Sequence, residues 1–261
     1  MIQLFSALGT LLLLVLMLWF FFRIRRALPV LMYHKVDPRR QDELTVSVSQ
    51  LEAQLGWLRA HEYRSVSLRE VLEALRTGQA LPPRSVLLTF DDAYRNNLIY
   101  ALPLLQRYGY RATIFVPTAY VGGRNEWDGG GEPLLSADEL RGLDSATVEL
   151  ALHTHTHGNF KHLPIEAIRQ EIVDNMAAFR RMNLPVVPAL AYPYGGRPKD
   201  RPRRTEMETV LAELGIEAAF RIGNRLNGWP IRNRYQLQRL DIRGTHSLAR
   251  FAQNVRWGKL I

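Results

Sequence analysis

Short apolar runs rich in β-branched residues alternate along this chain with amphipathic helical patterns, and that alternation restricts it to an α/β fold built from βα units. The helical patterns cover Ser49 to His61, Leu68 to Arg76, Asn97 to Tyr108 and Pro164 to Met182. Among the strand-like runs, Ser85 to Phe90 follows the breaker Pro82-Pro83, and Val148 to Leu152 precedes a cluster of histidines. Both runs end in polar residues, and in a layered α/β architecture the two ends fall in the same place.

The first run closes in Thr89-Phe90-Asp91-Asp92. Adjacent carboxylates at an apolar strand end repel each other unless a cation or a proton intervenes. Alone, the pair is equally well read as an aspartate capping the helix that starts near Tyr94. The second run closes in His153-Thr154-His155-Thr156-His157, three of the seven histidines of the chain within five positions. A helical turn would put His153 and His157 on one face, and an extended segment would put all three there. Two imidazoles and one carboxylate suit Zn²⁺ or a similar divalent ion, with coordination positions left for water and substrate. The second carboxylate is then available as a general base.

Thr-Phe-Asp-Asp followed by His-Thr-x-x-His resembles the polysaccharide deacetylases, the NodB-homology or carbohydrate esterase family four proteins. The resemblance runs from about Pro29 to the C-terminus. Pro29-Val30-Leu31-Met32-Tyr33-His34 is similar to the N-terminal strand of the subgroup that deacetylates poly-N-acetylglucosamine, Ala112 to Pro117 to the strand after the first helix, and Ala191-Tyr192-Pro193-Tyr194-Gly195 to the third motif. It implies a distorted, incomplete (β/α) barrel with the site at the C-terminal ends of its strands. It further implies Asp91 as catalytic base, Asp92, His153 and His157 as ligands of a divalent metal, and His34 as general acid. The metal expected is Zn, with Co, Ni or Mn as alternatives. The backbone N–H of Tyr194 would help stabilise the oxyanion, and His155 would have no role and face solvent.

One position departs from many members, which carry Arg where this chain has Ala191 and use it to tether the catalytic carboxylate. Arg239, in the strand-like stretch Leu237 to Ile242, is the candidate to replace it. The reaction implied is hydrolytic removal of acetyl groups from amino sugars of a polysaccharide or lipid-linked glycan. O-deacetylation or deformylation of a lipid-linked sugar would use the same residues. A non-catalytic glycan-binding protein would need no complete set of ligands and base.

With 261 residues and 47% hydrophobic composition, the chain has room for one catalytic domain, assigned to residues 29–261. No charged residue interrupts Leu4 to Phe22, which as a helix would span about 28 Å, close to the bilayer core. With no basic residues before it and no small-residue cleavage site after it, the segment reads as an uncleaved transmembrane anchor over residues 1–22 rather than a signal peptide. Residues 23–28 form a basic juxtamembrane stretch, and Arg23, Arg25 and Arg26 favour the cytoplasmic side of the inner membrane for the domain.

The net charge of +9 is spread along the chain without a recognisable nucleic-acid module, so anionic lipid headgroups explain it more simply than nucleic acid. The basic run Arg197 to Arg204 reads as a solvated loop in preference to an anion-binding one. The Gly-rich stretch around Gly122 to Asp128 either covers the site, with Trp127 stacking on a sugar, or is merely pinned to the barrel by that indole.

Overall fold

The computed structural model describes residues 27–259. The proposed anchor over 1–22 and most of the basic stretch after it therefore lie outside the described residues. No helix among the described residues is long and apolar enough to cross a membrane.

Seven parallel strands form a closed ring. In chain order its members are β1 (Val30–Tyr33), β5 (Ser85–Phe90), β6 (Ala112–Val116), β7 (Val148–Leu152), β8 (Val187–Ala191), β9 (Ala218–Ile222) and β10 (Leu237–Asp241). Consecutive members pair from β5 through to β10, and β1 closes the ring by pairing β10 on one side and β5 on the other. The short strand β4 (Arg64–Ser65) takes the first two residues of the same β5 edge, and β1 takes the last four. Strands β2 (Lys35–Asp37) and β3 (Thr45–Ser47) pair separately. The barrel is thus one strand short of the eightfold form, the incomplete (β/α) barrel that the resemblance implied, and its seven strands close on one another. Its distortion lies between β7 and β8, where the register shifts between Ala151 and Leu152.

The pleat sorts side chains with period two. Val30, Leu87, Phe115, Ala151, Val187, Ala189, Ala191, Ala218, Phe220 and Leu237 fill the barrel interior, while the alternate residues Leu31, Tyr33, Leu88, Phe90, Ile114, Leu150 and Leu190 pack under the helices. Four alanines inside the ring leave space for one large polar residue, Arg239, which is fully buried with its guanidinium 5.4 Å from the Phe115 ring.

Among the described residues, seven α-helices flank the ring. They are α1 (Val48–Ala60), α2 (Leu68–Thr77), α3 (Leu102–Tyr108), α4 (Ala137–Arg141), α5 (Ile165–Arg181), α6 (Arg201–Glu213) and α7 (Leu248–Trp257). Ser47, Ser67 and Ser136 open α1, α2 and α4 with reciprocal capping boxes to Gln50, Glu70 and Glu139. The pattern from Asn97 to Tyr108 resolves into a π turn, Asn97–Ala101, ahead of α3. Pro103 can donate no N–H there, and Leu102 N–H reaches back to Asn97 O instead. The basic run after Arg197 is not a loop throughout. From Arg201 it forms α6, capped by the Asp200 side chain on Arg203 N–H, and Arg203 and Arg204 donate to the carbonyls of Leu163 and Lys199.

Candidate active site

Asp91 follows β5 in step with Leu87 and Thr89, so strand alternation alone turns it into the top of the barrel. The same alternation would send Asp92 to the opposite face. It does not, because Asp92 and Ala93 adopt positive φ, 71° and 56°, and reverse the chain there. Five of the nine non-glycine residues with positive φ among the described residues, namely Asp92, Ala93, Thr154, His157 and Tyr194, belong to this site. Such left-handed residues are unfavourable away from sites that require them. Neither aspartate caps the helical segment after Tyr94. Both carboxylates are buried and face basic groups.

Arg239 comes up from β10 and grips Asp91 with both arms, Nη1 to Oδ1 at 2.5 Å and Nη2 to Oδ2 at 2.7 Å. Burial alone would raise the Asp91 pKa, but the charges of Arg239 and then His153 outweigh it and hold the carboxyl below its ordinary range. It is therefore ionised at neutral pH. His34 continues the inward side of β1, beside Asp91 in the β1–β5 register, and Asp91 N–H donates to Tyr33 O. The ring is half-buried, its Nδ1 has no partner among the described residues, and Asn97 of the π turn holds its backbone carbonyl at 2.9 Å.

His153 and His157 leave β7 on a turn that is neither helical nor extended. Thr154, with φ of 65°, kinks the chain, and His157, with φ of 58°, turns it back. His155 is carried away from the pair to Thr118, 2.9 Å from Nδ1 to Oγ1, so it is hydrogen-bonded and half-buried and not simply facing solvent. Glu171 of α5 secures this turn by accepting the N–H groups of His155 and Thr156, both at 2.8 Å. Nothing in the sequence pattern singled Glu171 out.

The Nε2 atoms of His153 and His157 lie 3.3 and 3.2 Å from the same atom, Asp92 Oδ1. His153 Nδ1 is 2.8 Å from the Ala191 carbonyl. A carbonyl only accepts, so Nδ1 carries a hydrogen, and Nε2 is the nitrogen left to give a lone pair to a metal when the ring is neutral. His157 Nδ1 meets the Tyr194 hydroxyl at 3.2 Å. Asp92 Oδ1 is fully buried and has no well-formed hydrogen bond among the described residues. An electron-rich oxygen without a donor, flanked by imidazole nitrogens, fits a bound cation, and these three residues offer ligand atoms within 4.8 Å of one another.

Burial opposes charge on both imidazoles. For His153 the carboxylates of Asp91 and Asp92 prevail and its pKa is raised, whereas that of His157 stays lowered. Burial would likewise raise Asp92, yet the two histidines hold it well below the carboxylate range.

Aromatic groups wall the site. Trp127 stacks on His157 with ring centres 4.2 Å apart and donates Nε1–H to Asp92 Oδ2 at 3.4 Å, while Tyr120 meets the indole edge-on. The indole thus packs on the histidine and carboxylate themselves. Tyr194 approaches the other side of His157 and is 55% exposed, leaving an aromatic surface open to a ligand.

A seven-stranded parallel barrel with Asp-Asp and His-x-x-x-His assembled at its C-terminal rim defines a hydrolase-type site of the polysaccharide deacetylase class. The chain belongs to that family, whose sequence profile matches residues 78–219, more than half of its length. Among its relatives, YxkH of Bacillus subtilis is 27% identical over 168 residues, 64% of this chain and 57% of that protein. The poly-β-1,6-N-acetyl-D-glucosamine N-deacetylase of Staphylococcus aureus strain MRSA252 is 34% identical over 116 residues, 44% of this chain and 39% of the relative. The chain therefore spans well under two thirds of either relative. In fold it matches IcaB from Ammonifex degensii with a TM-score of 0.74 at 22% identity, covering 88% of this chain and 97% of that one. The Streptococcus pyogenes deacetylase PplD matches with a TM-score of 0.72 at 20% identity, covering 88% and 98%.

Proposed function

We propose that this chain is a metal-dependent N-deacetylase that removes acetyl groups from amino sugars of a polysaccharide or lipid-linked glycan, with β-1,6-linked N-acetylglucosamine as the first substrate class to test. The observation that carries the reading is the buried, donor-less Asp92 Oδ1 between His153 Nε2 and His157 Nε2, one residue from a carboxylate that Arg239 keeps ionised. The name of the Staphylococcus aureus relative supports the choice of polymer.

Asp92, His153 and His157 would hold the divalent ion. When bound, it supplies Lewis acidity and lowers the proton affinity of water at the site. Asp91 then takes the proton of the attacking water as the new C–O bond forms at the acetamide carbon, and Arg239 keeps its carboxylate oriented for that transfer. The Tyr194 N–H donates to the developing oxyanion. His34 delivers a proton to the sugar nitrogen as the C–N bond breaks, leaving acetate and a free amine.

The same proposal keeps the apolar run Leu4 to Phe22 as a membrane anchor, supported by its length and lack of charge. Arg23, Arg25 and Arg26 favour a cytoplasmic catalytic domain, and an active C-terminal alkaline phosphatase fusion would overturn that orientation.

The test of the activity is acetate release from a β-1,6-linked N-acetylglucosamine oligomer by the full-length chain, paired with calorimetric titration of Zn²⁺ or Co²⁺. One-to-one binding that His153→Ala abolishes, together with acetate release, is the expected result. A folded chain that binds neither metal would refute it.

A further inference from the structure

Next to His34 stands a lysine that the chemistry above does not use. Lys35 opens β2 and is only 4% exposed, which is rare for an ammonium group without partners. Its Nζ lies 2.5 Å from Asp128 Oδ2, 3.1 Å from Glu132 Oε1 and 4.8 Å from the centre of the Tyr94 ring. The Tyr94 hydroxyl donates to the same Asp128 oxygen at 2.9 Å, and Asn125 donates to the other. Arg40 Nη2 closes on Glu132 at 2.5 Å. Two cations from β2 and the chain just after it therefore hold two carboxylates of the segment between Gly122 and Glu132.

That segment contains Gly122, Gly123, Gly129, Gly130 and Gly131, and three of them have positive φ. So many glycines give the backbone little stiffness of its own. Trp127, immediately before Asp128, is the residue that packs on His157 and donates to Asp92 Oδ2. Moving this segment away would strip Lys35 of both carboxylates and leave a buried charge unpaired, a strongly unfavourable state.

We propose that Lys35 is a positioning residue: through Asp128 and Glu132 its ammonium holds the Trp127 indole against His157 and Asp92. The indole then fixes the outer oxygen of Asp92, leaves Oδ1 to the histidine side, and keeps water off that flank. The inference rests on the reading of Asp92 and His157 as metal ligands only for its binding readout.

The test uses the full-length chain labelled with 5-fluorotryptophan, with the Trp127 resonance assigned by its loss in Trp127→Phe. Lys35→Met is compared with the double variant Lys35→Met/Asp128→Asn, which removes both members of the buried pair and leaves Arg40 on Glu132. In both variants the Trp127 resonance is expected to shift toward that of free fluorotryptophan, and Zn²⁺ affinity to fall about 10-fold, as for other groups that orient ligands. The double variant is expected to recover the melting temperature but neither of those two properties, a separation that a merely structural lysine would not produce. A folded double variant with the wild-type resonance and wild-type Zn²⁺ affinity would overturn the proposal. A wild-type chain that binds no Zn²⁺ would instead sink the metal reading, while the Trp127 resonance still tests the clamp.

Discussion

Replacing Arg239 by Gln tests the centre of the site most directly. The guanidinium is fully buried, makes two charge-assisted hydrogen bonds to Asp91 and lies over Phe115. Breaking a buried ion pair by removing one partner typically costs about 3–5 kcal/mol, because the remaining charge is left uncompensated. Asp91, itself buried, can escape that cost only by taking a proton, so its pKa in the variant should rise from below to above the ordinary carboxylate value. In the wild type the depressed pKa of Asp91 contributes stability that is complete above about pH 4 and lost as pH falls through the folded value. In the variant the sign reverses. The penalty is largest at neutral pH and shrinks as acidification neutralises Asp91. Urea denaturation at pH 7 and pH 5 should therefore give a stability difference between the two proteins that is smaller at pH 5. A protonated or misaligned Asp91 is no base, so kcat should fall by roughly 10²–10⁴, the usual contribution of general-base catalysis. Zn²⁺ affinity should change little, since Arg239 touches none of the proposed ligands. Undiminished turnover in Arg239→Gln would refute the reasoning. So would a stability loss of the same size when Asp91→Asn is already present.

Three further outcomes follow from the geometry. Zn²⁺ affinity should already weaken as pH falls toward the ordinary histidine range, because the metal must displace a proton that Asp91 and Asp92 hold on His153 more tightly than usual; calorimetry at pH 5.5 and 7.5 checks this through proton release. His34→Gln should lower kcat by about 10²-fold or more while Zn²⁺ binding stays intact, and undiminished turnover would exclude His34 as the acid. Glu171→Ala removes the acceptor for two backbone N–H groups of the histidine turn, so thermal denaturation should show a loss of about 1–3 kcal/mol and metal titration about a 10-fold weaker site.

Much of this protein is legible along the chain. The period of two in Leu87, Thr89 and Asp91 and the helical period after Ser67 or Pro164 are local properties, set by strand and helix geometry and by caps within a few residues. They were sufficient to locate four of the helices, the strand ends and the residues that gather there. The missed helices show the limit of that reading. In α6 the arginine-rich first turn concealed the helix, and its burial of Met207, Val210 and Leu211 is a tertiary property.

The chemistry of the site depended on contacts that no local pattern contains. Arg239 meets Asp91 across 148 residues because ring closure sets the register of β10 against β1 and β1 against β5. The Ala191 carbonyl selects the His153 tautomer from the neighbouring strand, where a side-chain motif gives no hint of a backbone acceptor. Asp92 joins the histidines only because two left-handed residues override strand alternation, a conformation that neither aspartate nor alanine prefers and that the packed surroundings impose. Sequence by itself determined which residues arrive at the barrel rim, since that follows from short-range periodicity. Tertiary structure alone decided which of them face one another and in what ionisation state, since burial and cross-barrel charge act through space and not along the chain.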